Sequence, residues 1–202
     1  MKDLIILVAD PTIKACIEGL LPRVPFVNRT RAFDYDIIVH PKRDGGCRTQ
    51  SGELLNVLST SYAKSIVIFD REGSGGENLT REALELQIEQ SLQNFWENRV
   101  CVISIDPELE NWIWAKNDHV ANALNWSDID TLYVWLEQEN WKTTSDNKPT
   151  RPKEALEAAL RKSKKPFSSS VHKHIAERAS YRYCTDPAFL KLIGKLCEWF
   201  GV

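Results

Sequence analysis

The sequence has no apolar run approaching the ~20 residues that span a bilayer as a helix, and it has no CxxC pair, no GxGxxG and no GxxxxGK[ST] loop. The first absence argues against a membrane anchor or a membrane partner. The opening residues, Met1-Lys-Asp-Leu-Ile-Ile-Leu-Val8, enter an apolar strand at once, without the length or cleavage pattern of a secretory leader, so a cytoplasmic protein is expected. The five cysteines (Cys16, Cys47, Cys101, Cys184, Cys197) are odd in number and widely spaced. That pattern argues against a structural zinc site and reads as reduced, mostly buried thiols. Without the two glycine fingerprints, neither a Walker-type nor a dinucleotide-binding loop is indicated. No internal repeat or low-complexity tract is present.

What is there is an ordinary globular composition, 43% apolar and 27% charged over 202 residues, which is long enough to bury a full core. The net charge of −2 conceals an asymmetry: residues 1–146 hold 14 Lys+Arg against 23 Asp+Glu, and residues 147–202 hold 12 against 5. An acidic first part beside a basic second part suits a metal site next to a polyanion-binding surface. It equally suits charge pairing that holds the two parts together.

Three β-branched runs each lead into acids: Leu4–Val8 into Asp10, Ile66-Val-Ile-Phe-Asp-Arg-Glu72, and Val102-Ile-Ser-Ile-Asp-Pro-Glu-Leu-Glu110. Continuous Val/Ile runs are the signature of strands buried in a parallel sheet, and sites in open α/β folds lie at the carboxyl edge of such strands. Acids gathered there repel one another unless a cation joins them. Asp70, Glu72, Glu108 and Glu110 are therefore candidate ligands for Mg²⁺ or Mn²⁺, which take one or two carboxylates and keep several waters. The competing readings are a solvated or Arg-paired loop carboxylate for Asp70 and Glu72, and complementation of a helix dipole for Glu108 and Glu110. Trp112 and Trp114 read as packing residues.

Between these runs the pattern alternates. A helix is expected over 12–21, a strand over 36–40, a loop over 41–48 and a helix over 53–62 capped by Ser51. Strands over 65–69 and 100–105 flank a glycine-rich loop and a long helix that Thr80 caps, ending near Trp96. The 41–48 loop could bring Lys42, Arg43 and Asp44 to the same edge, and Gly73–Gly76 reads as a flexible active-site loop in preference to a nucleotide cradle. His40 reads as structural. His172 and His174, two apart on a helix, face different ways and do not form a chelating pair.

From Pro107 the chain turns helical: short pieces over 108–115 and 120–124, a helix from Ser127 to about 139, and a polar connector over 143–151. Helices from Pro152, from Ser168 or Ser169, and from Asp186-Pro187 to Phe200 complete it. The division expected is an α/β core over 1–115 and a helical portion over 116–202 packed on it. Lys148, Lys153, Lys162, Lys164 and Lys165 fall in basic clusters near helix ends and are candidate phosphate contacts to nucleic acid, without a sequence-reading motif.

The order of these motifs resembles the Toprim-like domains, and more narrowly small bacterial proteins of unknown function with a Toprim-type core that include components of methylation-associated phage-defence systems. The likeness covers about residues 1–115, with HPKRDGGC, FDREGSGGE, DPELENWIW and CTDPAFLKL as the narrower signatures. It implies a three-layer, Rossmann-like core with a mainly parallel sheet, and a Mg²⁺-dependent nuclease-type or nucleic-acid-processing role in anti-phage defence. Asp10 would be the general acid/base and Arg43 its catalytic companion on phosphate. Asp10 stands where that family places a glutamate, and Asp70-Arg-Glu72 replaces its DxD; each change keeps a carboxylate and shifts its reach by one methylene. Two alternatives stand beside this: a non-catalytic scaffold subunit of a multi-protein defence complex, and a nucleotide- or phosphate-ester-processing enzyme using Gly73–Gly76.

Overall fold

In the computed structural model, which describes residues 1–145, 147–182 and 184–202, the β-branched runs form four parallel strands. These are β1 (Lys2–Val8), β2 (Tyr35–Val39), β3 (Tyr62–Asp70) and β4 (Val100–Ile105), in the order β2-β1-β3-β4. Ile6 lies between Ile37 and Ile66, and Ile68 pairs with Ile103. Leu4–Val8, Ile66–Phe69 and Val102–Ile105 are at most 1% exposed, as the unbroken apolar runs require. β2, at the edge, is half-buried throughout.

The connections are the helices α1 (Pro11–Leu20), α2 (Val24–Asn28), α3 (Arg43–Leu55) and α4 (Arg81–Trp96). Right-handed crossovers run from β1 outward to β2, then back across to β3 and on to β4, so α1 covers one face and α3 and α4 the other. The architecture is thus α/β with a Rossmann-like parallel core. Among the described residues no helix is long and apolar enough to cross a membrane.

Beyond the sheet come α5 (Glu110–Ile113), α6 (Asp118–Ala123), α7 (Ile129–Gln138), α8 (Pro152–Lys162), α9 (Ser169–Arg178) and α10 (Pro187–Phe200). Apolar residues from Ile113 to Ala179 make a second cluster of their own, including Trp114, Leu132, Leu156 and Ile175. Helix α9 joins the two by packing along α1. Helix α10 does not belong to the second cluster: Phe189, Leu192, Leu196 and Phe200 are part of the sheet's own core. The last helix therefore returns from the helical portion to pack on the core of residues 1–115.

Three local expectations are corrected. Residues 43–48, expected as loop, begin α3, because Gly46 gives the helix room against a buried imidazole: a Cβ there would collide with the ring of His40. The helix expected over 53–62 ends by Leu58, and Tyr62 already belongs to β3, so Ser51 sits buried inside α3 instead of capping anything. Asp128, not Ser127, caps α7 through Thr131 N at 2.7 Å. Asp186 caps α10 as expected and also accepts from Trp112 Nε1 (2.9 Å) and Asn111 Nδ2 (2.7 Å), tying α10 to α5.

The outer edge of β4 is closed by side chains. Glu89 accepts from Val102 N (2.9 Å), Glu85 accepts from Ser104 N (2.8 Å), and Lys191 of α10 donates to Val102 O (2.8 Å). Lys191 also bridges Glu85 and Glu89, at 3.0 Å each. Open strand edges template unwanted pairing, and charge on the edge is the common protection. Because Glu85 is buried and bonded to Ser104 N, Arg81 and Lys191, Glu85→Ala should cost about 1–3 kcal/mol in urea unfolding, by leaving the Ser104 N–H without its acceptor while Arg81 keeps Glu82 and Lys191 keeps Glu89. Lys195→Ala, which removes an exposed pair with Glu198, should cost under about 1 kcal/mol. Equal losses would show that the edge closure is ornamental.

Candidate functional site

Strand order reverses between β1 and β3, and open parallel sheets bind ligands in the crevice beyond the strand ends at such a point. Asp10 follows β1, Asp70 ends β3, and Glu108 and Glu110 follow β4. Asp44, in the first turn of α3, joins them.

Each acid is held by a backbone or ring partner. Asp10 Oδ1 accepts from Thr12 N (2.7 Å) and Ile13 N (2.8 Å), capping α1. Asp44 Oδ1 accepts from Asp70 N (2.9 Å), and Asp70 Oδ1 in turn from Leu109 N (2.8 Å). Glu108 Oε1 accepts from Lys153 N (3.0 Å) in the first turn of α8, with Lys153 Nζ 3.8 Å from its other oxygen. Glu110 Oε1 lies 3.1 Å from His172 Nε2, both buried. In all three aspartates the bonds fall on Oδ1, and Oδ2 has no hydrogen bond among the described residues.

The electrostatics follow from burial and like charge. Burial pushes the Asp70 carboxyl well above the usual carboxylate range, and Asp44, Glu110, Asp10 and Glu108 push it further. Burial also raises Asp44, with Asp10 adding to it against the pull of the Asp70 N–H and Lys153. Glu108 is pushed up to about 7, by burial first and by Glu110 next. Burial pulls the Lys153 ammonium down, but Glu110, Glu108 and Asp70 outweigh it, and its pKa is raised. Beneath the cluster the Cys16 thiol is pushed up to about 12 by burial, then by Glu110 and Asp70, which makes it unreactive at neutral pH.

The other expected residues fall differently. Glu72 is exposed at the rim, its N–H donating to Pro107 O at 3.0 Å. Arg43 opens α3 with a left-handed φ of 51° and an exposed side chain that makes no ion pair among the described residues. His40 is buried, Nδ1 accepting from Lys42 N at 3.0 Å, and is structural. The Gly73–Gly76 loop, expected to be flexible, is cross-braced: Arg71 donates to Glu77 O (2.8 Å) and Leu79 O (2.7 Å), and Ser74 Oγ to Arg71 O (2.7 Å). Among the lysines, Lys162 and Lys164 are exposed. Lys165 donates to Ala123 O (2.6 Å) at the end of α6, Lys153 faces Glu108, and Lys148 borders a cavity beside α5 and α9. Two residues of the cluster carried weaker signals. Asp44 lay in a presumed loop, and His172 was weighed only against His174, which instead meets Arg178.

No known protein family, curated protein or solved structure matches the chain. Among the described residues no three His, Cys, Asp or Glu side chains are arranged to hold a metal ion between them. An all-protein cage is therefore not what this edge offers.

The raised carboxyls set a pH dependence. Folded Glu108 keeps its proton up to about 7, whereas an unfolded chain releases it near 4.5. Folding therefore takes up protons across that interval, and stability should fall as pH rises through it, with the raised Asp70 carboxyl acting in the same direction. The urea midpoint should drop between these two pH values, and Glu108→Gln should flatten the drop. A midpoint that rises more steeply in the wild type than in Glu108→Gln would contradict the assignment.

Proposed function

We propose that the carboxyl edge of the sheet is the site of Mg²⁺- or Mn²⁺-dependent phosphodiester processing of the nuclease type, in a Toprim-like protein of bacterial anti-phage defence. The observation that carries the reading is the convergence of Asp10, Asp44, Asp70, Glu108 and Glu110 at the reversal in strand order, with Asp70 and Glu108 raised by burial and mutual repulsion. Asp70 with Asp10 or Asp44 would hold the cation through their spare oxygens. A bound divalent cation supplies water activation and offsets charge on the phosphate. Asp10, fixed by two N–H bonds on one oxygen, presents the other as a proton acceptor. Glu108, pushed up to about 7, is poised to exchange a proton near neutral pH. Lys153 supplies positive charge at the rim, and the exposed Lys162 and Lys164 are the remaining candidates for phosphate contacts. Nucleic acid as substrate and defence proteins as partners rest on the resemblance and on these lysines.

One observation favours a second reading, a non-catalytic scaffold. Every acid of the cluster already bonds a backbone N–H or a buried imidazole, so the cluster also works as a clasp. The two readings separate in one experiment. Purified protein is assayed on single- and double-stranded DNA and RNA with Mg²⁺, Mn²⁺ or EDTA, beside Asp70→Asn and Asp10→Asn. Asparagine keeps the acceptor oxygen, so both variants should melt near the wild type while cleavage falls by about 10²–10⁴-fold. No cleavage on any substrate leaves the scaffold, and cleavage that survives EDTA and both substitutions overturns the carboxylate site as its source.

A further inference from the structure

The carboxylate site makes no use of the cavity of about 560 Å³ that lies between the two apolar clusters, walled by α1, α5, α9 and the segment before α10. Small organic ligands occupy mostly apolar cavities of about 300–1,000 Å³ with a few placed polar groups. Here Trp112, Tyr181 and Phe189 supply an aromatic wall, Phe189 standing 5.2 Å from Trp112 edge to face and 5.4 Å from Tyr181.

Two further features describe an occupant. The first is charge. Arg23, Lys116 and Lys148 line the cavity, and no acid among the described residues does, in a chain with more acids than bases. Arg23 is committed to the carbonyls of Ala176 and Ala179, and Lys116 stands 3.3 Å from Asp130. Lys148 makes no ion pair among the described residues and is the cation left for an incoming anion. The second is an orphaned polar atom. His172 lines the cavity with 0% exposure; its Nε2 meets Glu110, and its buried Nδ1 has no partner. Buried polar atoms are almost always bonded, and each exception calls for an explanation. With Nε2–H donated to the Glu110 carboxylate, Nδ1 is an acceptor.

We propose that this cavity binds a planar ring compound that carries an anionic group, of the nucleoside monophosphate class. The ring packs against Trp112, Tyr181 and Phe189, an N–H of the ring or its amino group donates to His172 Nδ1, and the phosphate meets Lys148. A fatty acid would satisfy the charge and the apolar wall but not the acceptor. The proposal does not depend on chemistry at the carboxylates, although the His172–Glu110 contact joins the two sites.

Titration of the full chain with AMP, GMP, CMP and UMP, followed by intrinsic fluorescence, to which Trp112 and Trp114 of the wall contribute among seven tryptophans, tests it. At least one nucleotide should give saturable quenching, with its parent nucleoside, inorganic phosphate and laurate each at least about tenfold weaker. Lys148→Gln should weaken the nucleotide about tenfold, the scale of one charge-assisted contact, and Lys2→Gln, on the far side of β1, should not. Lys148 is half-exposed, so its replacement spares the fold, unlike that of His172. The proposal is overturned if no nucleotide binds up to about 5 mM, if phosphate or laurate alone binds as well, or if Lys148→Gln binds like the wild type.

Discussion

Asp70 is half-buried beside Asp44, Glu110, Asp10 and Glu108, and drawing like charges together out of water is the constraint around which the carboxyl edge of the sheet is arranged. A lone buried carboxylate is strongly unfavourable unless it is bonded or protonated. The chain answers by making each acid an acceptor for a different element. Asp10 fixes the start of α1, Asp44 the end of β3, Asp70 the approach to α5, Glu108 the start of α8, and Glu110 meets α9 through His172. The acids that repel one another are thus also the anchors by which the second apolar cluster sits on the sheet.

This double use explains why the edge reads both as a site and as a clasp. Elsewhere the levels agree: apolar runs become buried strands, Thr80, Asp128 and Asp186 cap the helices they precede, and a buried Glu85 meets two cations. Among the described residues the carboxyl edge gathers acids with Lys153 set against them. Departures of that kind concentrate at functional sites. A cluster used only as a clasp could have been built from neutral acceptors such as asparagine, which cap and hydrogen-bond as well without mutual repulsion.

Much of this was legible in the sequence, for physical reasons. β1, β3 and β4 announce themselves because a strand covered on both faces needs unbroken β-branched residues. The bounds of α10 follow from Asp186-Pro187, a cap followed by a residue that fits only the first helical turn. The start of α3 was hidden because Gly45-Gly46 signals a loop locally, while the reason for Gly46 is the ring of His40, a contact made only in the folded chain. His172 was hidden in the same way: its partner is Glu110, 62 residues away, and spacing along a helix says nothing about that. Side-by-side lysines after residue 147 likewise could not reveal that Lys165 would turn inward to Ala123 while Lys148 bordered a cavity.

The closure of β4 reaches further than the protection of one strand. Because Glu85, Glu89 and Lys191 take up the outward N–H groups of Val102 and Ser104 and the C=O of Val102, a fifth strand could add there only by displacing three charge-assisted bonds. Two copies of the chain therefore have no route to a continuous sheet through β4, and an extended peptide offered to that edge finds it taken. Any enlargement of this sheet, by assembly or by insertion over evolutionary time, has to begin beside β2.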